Sequence, residues 1–123
     1  ILDGIHGSPA EFKDITLSDY VGDRYTSLTD DPYQKGFVSN YARSHYSEDV
    51  AETGGRLISL TEEEREAMIA KAGSVGGPLM RKKFDMLKKW LKDSYGVDTE
   101  RWCEIYHRRI AQLDNLDWES LDE

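Results

Sequence analysis

The chain has 123 residues, 38% of them hydrophobic and 33% charged, which suits one domain with one core and is short for two. Its 24 Asp and Glu outnumber 16 Lys and Arg, giving a formal net charge of -8 that repels phosphate backbones and argues against nucleic acid as a partner. No apolar run approaches the roughly 20 residues that a bilayer crossing needs, so no membrane span is expected, and the lone Cys103 leaves no internal disulfide and no CxxC metal pair.

The chain opens at Ile1 without Met, which suggests numbering that begins inside a longer gene product. Residues 1–43 are rich in Gly, Asp, Ser, Thr and Pro. Phe12, Ile15, Leu17, Tyr20 and Val21 follow no sustained period, so this part is expected to be irregular. A stretch as long as Leu17 to Lys35 is a candidate wall or lid for a site.

Residues 44–123 read as helical. A first helix is expected from Ser44 or Ser47, either able to cap free backbone N–H groups, to about Ser59. Thr61-Glu62-Glu63-Glu64 has the form of a capping box and should open a second helix ending near Ala72. Gly76-Gly77-Pro78 places Pro at a first helical position, and Met80, Phe84, Leu87, Leu91 and Tyr95 keep the spacing of one buried face up to a stop at Gly96. Asp98 or Thr99 can cap a fourth helix, with Trp102, Ile105, Tyr106, Ile110 and Leu113 inward. Leu116, Trp118 and Leu121 in the acidic tail would dock loosely or fray. The expectation is a mainly α single domain over 1–123, about four helices after a long irregular N-terminal segment. The third and fourth helices should pack on each other and support the first.

Chemistry concentrates in Tyr41-Ala42-Arg43-Ser44-His45-Tyr46-Ser47-Glu48-Asp49-Val50-Ala51-Glu52. On a helix, Glu48 and Glu52 project from one face a turn apart, so one could ligate a cation while the other orients a neighbouring ligand. The plain alternative is a pair of solvated acids favoured by the helix dipole.

This run resembles the third-ligand segment of gluzincin-type zinc metallopeptidases related to the anthrax lethal factor catalytic domain. It is closer still to the Bacteroidetes zinc metallopeptidase lipoproteins that accompany outer-membrane nutrient-import systems. Pro9-Ala10-Glu11-Phe12-Lys13-Asp14-Ile15 and Asp19-Tyr20-Val21-Gly22-Asp23 look like the segment between that group's two zinc motifs. The resemblance implies a zincin-like helical subdomain with Glu48 as a zinc ligand. Tyr41 would donate a hydrogen bond to the oxyanion, and Glu52 would stand behind the ligands, accepting from a zinc-bound His or fixing the Glu48 helix. The family's HExxH, which brings two His ligands and the general-base Glu, is absent from these residues and would lie just before Ile1. The chain alone would then be inactive, the C-terminal part of an enzyme that hydrolyses polypeptides with metal-activated water. The same resemblance implies a lipid anchor at the periplasm or cell surface and import proteins as neighbours. The competing expectation is a pseudoenzyme or other non-catalytic helical module that binds peptide without cutting it.

The remaining polar residues read more simply. His45 and His6 are expected at the surface, His107 on a solvated helix face, and Cys103 as a small packing residue. Lys82-Lys83 and Lys88-Lys89 are expected on the wet side of the third helix. Gly54-Gly55 should weaken, and could bend, the helix that carries Glu48, since each mid-helix Gly costs about 1 kcal/mol relative to Ala.

Overall fold

The computed structural model describes residue 9 and residues 11–114. Its long elements are helices: α2 (Tyr46–Ser59), α3 (Glu62–Lys71), α4 (Gly73–Tyr95) and α5 (Thr99–Asp114). Before them come a single-turn helix, α1 (Phe12–Ile15), and 3-10 turns at Leu17–Asp19, Gly22–Ser27, Pro32–Lys35 and Tyr41–Arg43. No strand occurs among the described residues, so the mainly α expectation holds. The N-terminal part is a string of short turns rather than open loop. His6, Leu116, Trp118 and Leu121, for which the sequence sets expectations, lie outside the described residues.

The core joins Phe12 of α1 and Val38 to Leu57 of α2, Ala72, and Met80, Phe84 and Leu87 of α4. Four of the five apolar residues expected along α4 are buried, and the fifth, Tyr95, is 45% exposed. The Thr61 capping box is present: Thr61 N donates to Glu64 Oε1 at 3.0 Å and Glu64 N to Thr61 Oγ1 at 3.1 Å. Gly96 ends α4 in the left-handed region at φ 67°, as its position suggested.

Three expectations need correction. The cap of α2 is His45, whose Nδ1 accepts from Ser47 N at 3.1 Å, because Ser44 Oγ is engaged with the Tyr41 carbonyl at 2.7 Å. α4 starts at Gly73, so Pro78 lies inside it, exposed to solvent. The third concerns α5, which lies mainly against α2 and touches α4 less. Arg65 of α3 accounts for this placement. Its guanidinium donates to the Leu57 and Leu60 carbonyls at 2.9 and 2.7 Å and pairs with Glu100 of α5, while Cys103 Sγ donates to Leu60 O at 3.1 Å. These hooks turn Cys103 inward and leave Tyr106, Ile110 and Leu113 about two-fifths or more exposed.

The glycines before Pro78 serve packing rather than helix initiation. A Cβ on Gly76 would stand 2.1 Å from the Tyr33 carbonyl oxygen, and one on Gly77 would stand 3.0 Å from the Ile69 carbonyl oxygen. α4 therefore crosses the Pro32–Lys35 turn backbone to backbone. Gly76→Ala is expected to cost about 3 kcal/mol in a denaturant melt, since backbone cannot swing aside. Gly55→Ala, with open space around its Cβ, should instead gain up to about 1 kcal/mol.

Candidate metal centre

Asp31 caps the Pro32–Lys35 turn by accepting from Tyr33 N at 2.9 Å, and Gly36, at φ 87°, closes it beside Leu79. That turn delivers Phe37 and Val38 into the interior and Ser39 to the foot of the next turn. Ser39 Oγ accepts from Ala42 N at 3.1 Å and donates to Glu52 Oε1 at 2.9 Å. One hydroxyl thus ties the turn that carries Tyr41 to the helix that carries Glu48 and Glu52.

The three residues singled out in the sequence do come together. The Tyr41 phenol lies close to the Glu48 carboxylate, whose acceptor oxygens and negative charge hold the phenol above its ordinary range. Tyr41 is 44% exposed, and its ring meets Tyr25 edge-on at 5.3 Å. The Leu17 to Lys35 stretch therefore supplies part of a wall here. Glu48 is half-buried and has no cationic partner among the described residues. Glu52, by contrast, is engaged: besides Ser39 it pairs with Arg56 at 3.4 Å. His45 caps the helix, and no group of three or more His, Cys, Asp or Glu able to hold a metal occurs among the described residues.

What the sequence reading missed lies one residue further on. Asp49 is fully buried, its Oδ2 accepting from Lys83 Nζ and from the Tyr20 hydroxyl at 2.7 Å each, and its Oδ1 from Thr53 Oγ1 at 3.0 Å. Lys83 was expected on the wet side of its helix and is instead wholly buried. Its ammonium stands 3.7 Å from the Phe37 ring centroid and about 6 Å from Phe12 and Tyr20. The reason is helical register: Lys83 follows Met80 by three and precedes Leu87 by four, on the buried stripe of α4. Burial pushes the Asp49 carboxyl up and the Lys83 ammonium down, and each opposes the other's shift. Burial and the Asp49 charge also push the Tyr20 phenol up.

Arg43 completes the frame. It is buried, chelates the Asp30 carboxylate at 3.0 and 3.1 Å, and its carbonyl accepts from Val21 N at 2.7 Å. Tyr20 and Val21 therefore bind, side by side, the Glu48 helix and the Tyr41 turn.

A carboxylate with no cationic partner, half withdrawn from solvent beside a phenol, suits one ligand of a zinc ion. A catalytic zinc takes three protein ligands, so these residues fit as part of a donor set. Comparison with known proteins agrees in kind. A solved structure titled a putative zinc-binding metallo-peptidase, from Bacteroides caccae ATCC 43185, superposes with a TM-score of 0.81 at 28% identity. The match covers 94% of this chain and 45% of that one, so the chain spans less than half of its solved relative. A search of the curated proteins finds no match. Residues 1–100 match a family model described as "Putative zinc-binding metallo-peptidase", and the chain belongs to that family.

Proposed function

We propose that this chain is the C-terminal part of a zinc-dependent peptidase in which Glu48 is the third protein ligand of the metal. The observation that carries the reading is the Glu48 carboxylate itself, half-buried, free of any cationic partner among the described residues and close to the Tyr41 phenol. The other two ligands and the general base come from an HExxH helix preceding Ile1. When bound, zinc lowers the pKa of a coordinated water to about 7 and so supplies hydroxide at neutral pH.

The chain's own residues then hold and polarise. Glu48 contributes one charge-bearing oxygen. Tyr41, kept protonated by its carboxylate neighbour, has a hydrogen to donate to the oxygen of the scissile carbonyl as negative charge develops there. Glu52 acts behind the metal ligand, bracing α2 through Ser39 to the backbone of the Tyr41 turn. Tyr25 lines the approach beside Tyr41 and bounds where a polypeptide substrate can lie.

The proposal includes kinship with the gluzincins, distantly with the anthrax lethal factor catalytic domain and more closely with the Bacteroidetes lipoproteins found beside nutrient importers. A lipid anchor at the periplasmic or outer surface, with import proteins nearby, belongs to the same proposal. The family membership and the Bacteroides relative support the zinc-peptidase part of this reading, while the kinship, anchor and neighbours rest on the resemblance of the Tyr41 to Glu52 run.

The test is zinc content of the intact full-length protein by elemental mass spectrometry, beside Glu48→Gln. Near one zinc per chain in the parent, and about a tenfold or greater loss of affinity in the variant, is expected. A parent that holds no zinc leaves the non-catalytic peptide-binding module as the better account.

A further inference from the structure

We propose that the Lys83–Asp49 pair is the positioning contact that sets the rotation of α2 about its axis and so aims Glu48 at the metal, an inference that rests on the zinc reading above. Successive residues of an α-helix lie about 100° apart around the axis, so fixing Asp49 fixes Glu48. Asp49 is held from three directions, by Lys83 of α4, by Tyr20 of the N-terminal segment and by Thr53 of α2 itself. The Ser39–Glu52 hydrogen bond and the packing of Val50 against the core also hold that half of the helix, but both are only partly buried. Below Asp49 the buried face offers only Thr53 and Gly54 before Leu57 and Ile58 are reached. Apolar contact is non-directional, and a residue without a side chain gives a neighbouring helix nothing to grip.

The energetics point the same way. A buried ion pair contributes little more to stability than two well-packed apolar groups would, because desolvation cancels most of the attraction. What it adds is direction, since Oδ2 must face both Nζ and the Tyr20 hydroxyl at 2.7 Å. Tyr20 is next to Val21, whose N–H binds the Arg43 carbonyl, so the cluster also registers the Tyr41 turn against α2. Lys83 and Asp49 are both buried and engaged with each other, which makes both positioning residues.

The experiment compares zinc binding and thermal unfolding in the intact full-length protein, using zinc alone against a competing chelating dye. The informative variant is the double Asp49→Asn/Lys83→Met, which removes both charges, keeps similar volumes and leaves an oxygen for Tyr20. It is expected to melt close to the parent while binding zinc about tenfold or more weakly. Equal melting with equal zinc affinity overturns the inference, and so does a double variant that cannot fold, which would make the pair a stability element. Failure of the zinc reading is visible separately, in a parent that takes up no zinc before any variant is made, and it would overturn the inference with it. Lys83→Arg, which keeps a cation on α4, should recover part of the lost affinity; no recovery beyond Lys83→Met counts against it.

Discussion

Lys83→Met is expected to lower the unfolding free energy by about 3–5 kcal/mol, the cost of leaving a buried carboxylate without its counter-charge. Asp49 has no route to solvent, since its residue is 0% exposed. In the variant it must either stay ionised among Phe12, Phe37 and Tyr20 or bind a proton. The sign of the pH dependence follows. Burial already raises the Asp49 carboxyl in the folded protein, and losing Lys83 removes the largest influence that lowers it. A group whose folded pKa lies above its unfolded one supports the fold below the unfolded value, and that support is lost as pH rises through the folded value. The deficit of Lys83→Met relative to the parent should therefore narrow as pH falls toward the ordinary carboxylate range. Adding Asp49→Asn should restore most of the loss at neutral pH. Denaturant melts of the parent and the two variants check this, and a loss under about 1 kcal/mol for the single change would mean that Asp49 is not the isolated charge its burial implies.

The second large effect separates α4 from α5. Leu87→Asp is expected to cost about 5 kcal/mol, combining a lost buried leucine with an unpaired charge in the core, which approaches the whole stability of a small domain. Leu87 is 1% exposed and packs in the main cluster. Ile105→Asp should cost only about 1–2 kcal/mol, because Ile105 is half-buried and its charge can reach water. Paired denaturant melts distinguish the two; equal losses would place Ile105 in the core and contradict the packing of α5 described above.

How much of this was legible in the sequence depends on which kind of signal each residue carried. The capping box at Thr61, the stop at Gly96 and the stripe from Met80 to Leu91 are local rules, set by hydrogen bonds and spacing within one element, and they read correctly. The start of α4 and the placement of α5 are set between elements. Gly76-Gly77-Pro78 reads as a helix start with Pro78 in first position, whereas the Tyr33 carbonyl requires Gly76 inside α4, and nothing in α5 announces that Arg65 and Leu60 will turn Cys103 inward. The candidate site was legible only through the resemblance of Tyr41 to Glu52. Spacing alone left the acids as solvated a face as any other. The Asp49–Lys83 pair carried a readable signal that went unread: an acid and a base each sat on the apolar stripe of its helix, where a charge persists only if paired.

The same pair bears on the order in which the molecule acquires its shape. Lys83 lies 34 residues after Asp49, and Gly76 must still arrive to seat the Pro32–Lys35 turn. On a ribosome, α2 emerges well before the helix that orients it. A nascent chain ending short of Lys83 would carry α2 tied to the Tyr41 turn through Ser39 but not yet anchored to α4 through Asp49. The final orientation of α2 is therefore delayed until α4 has been synthesised and docked.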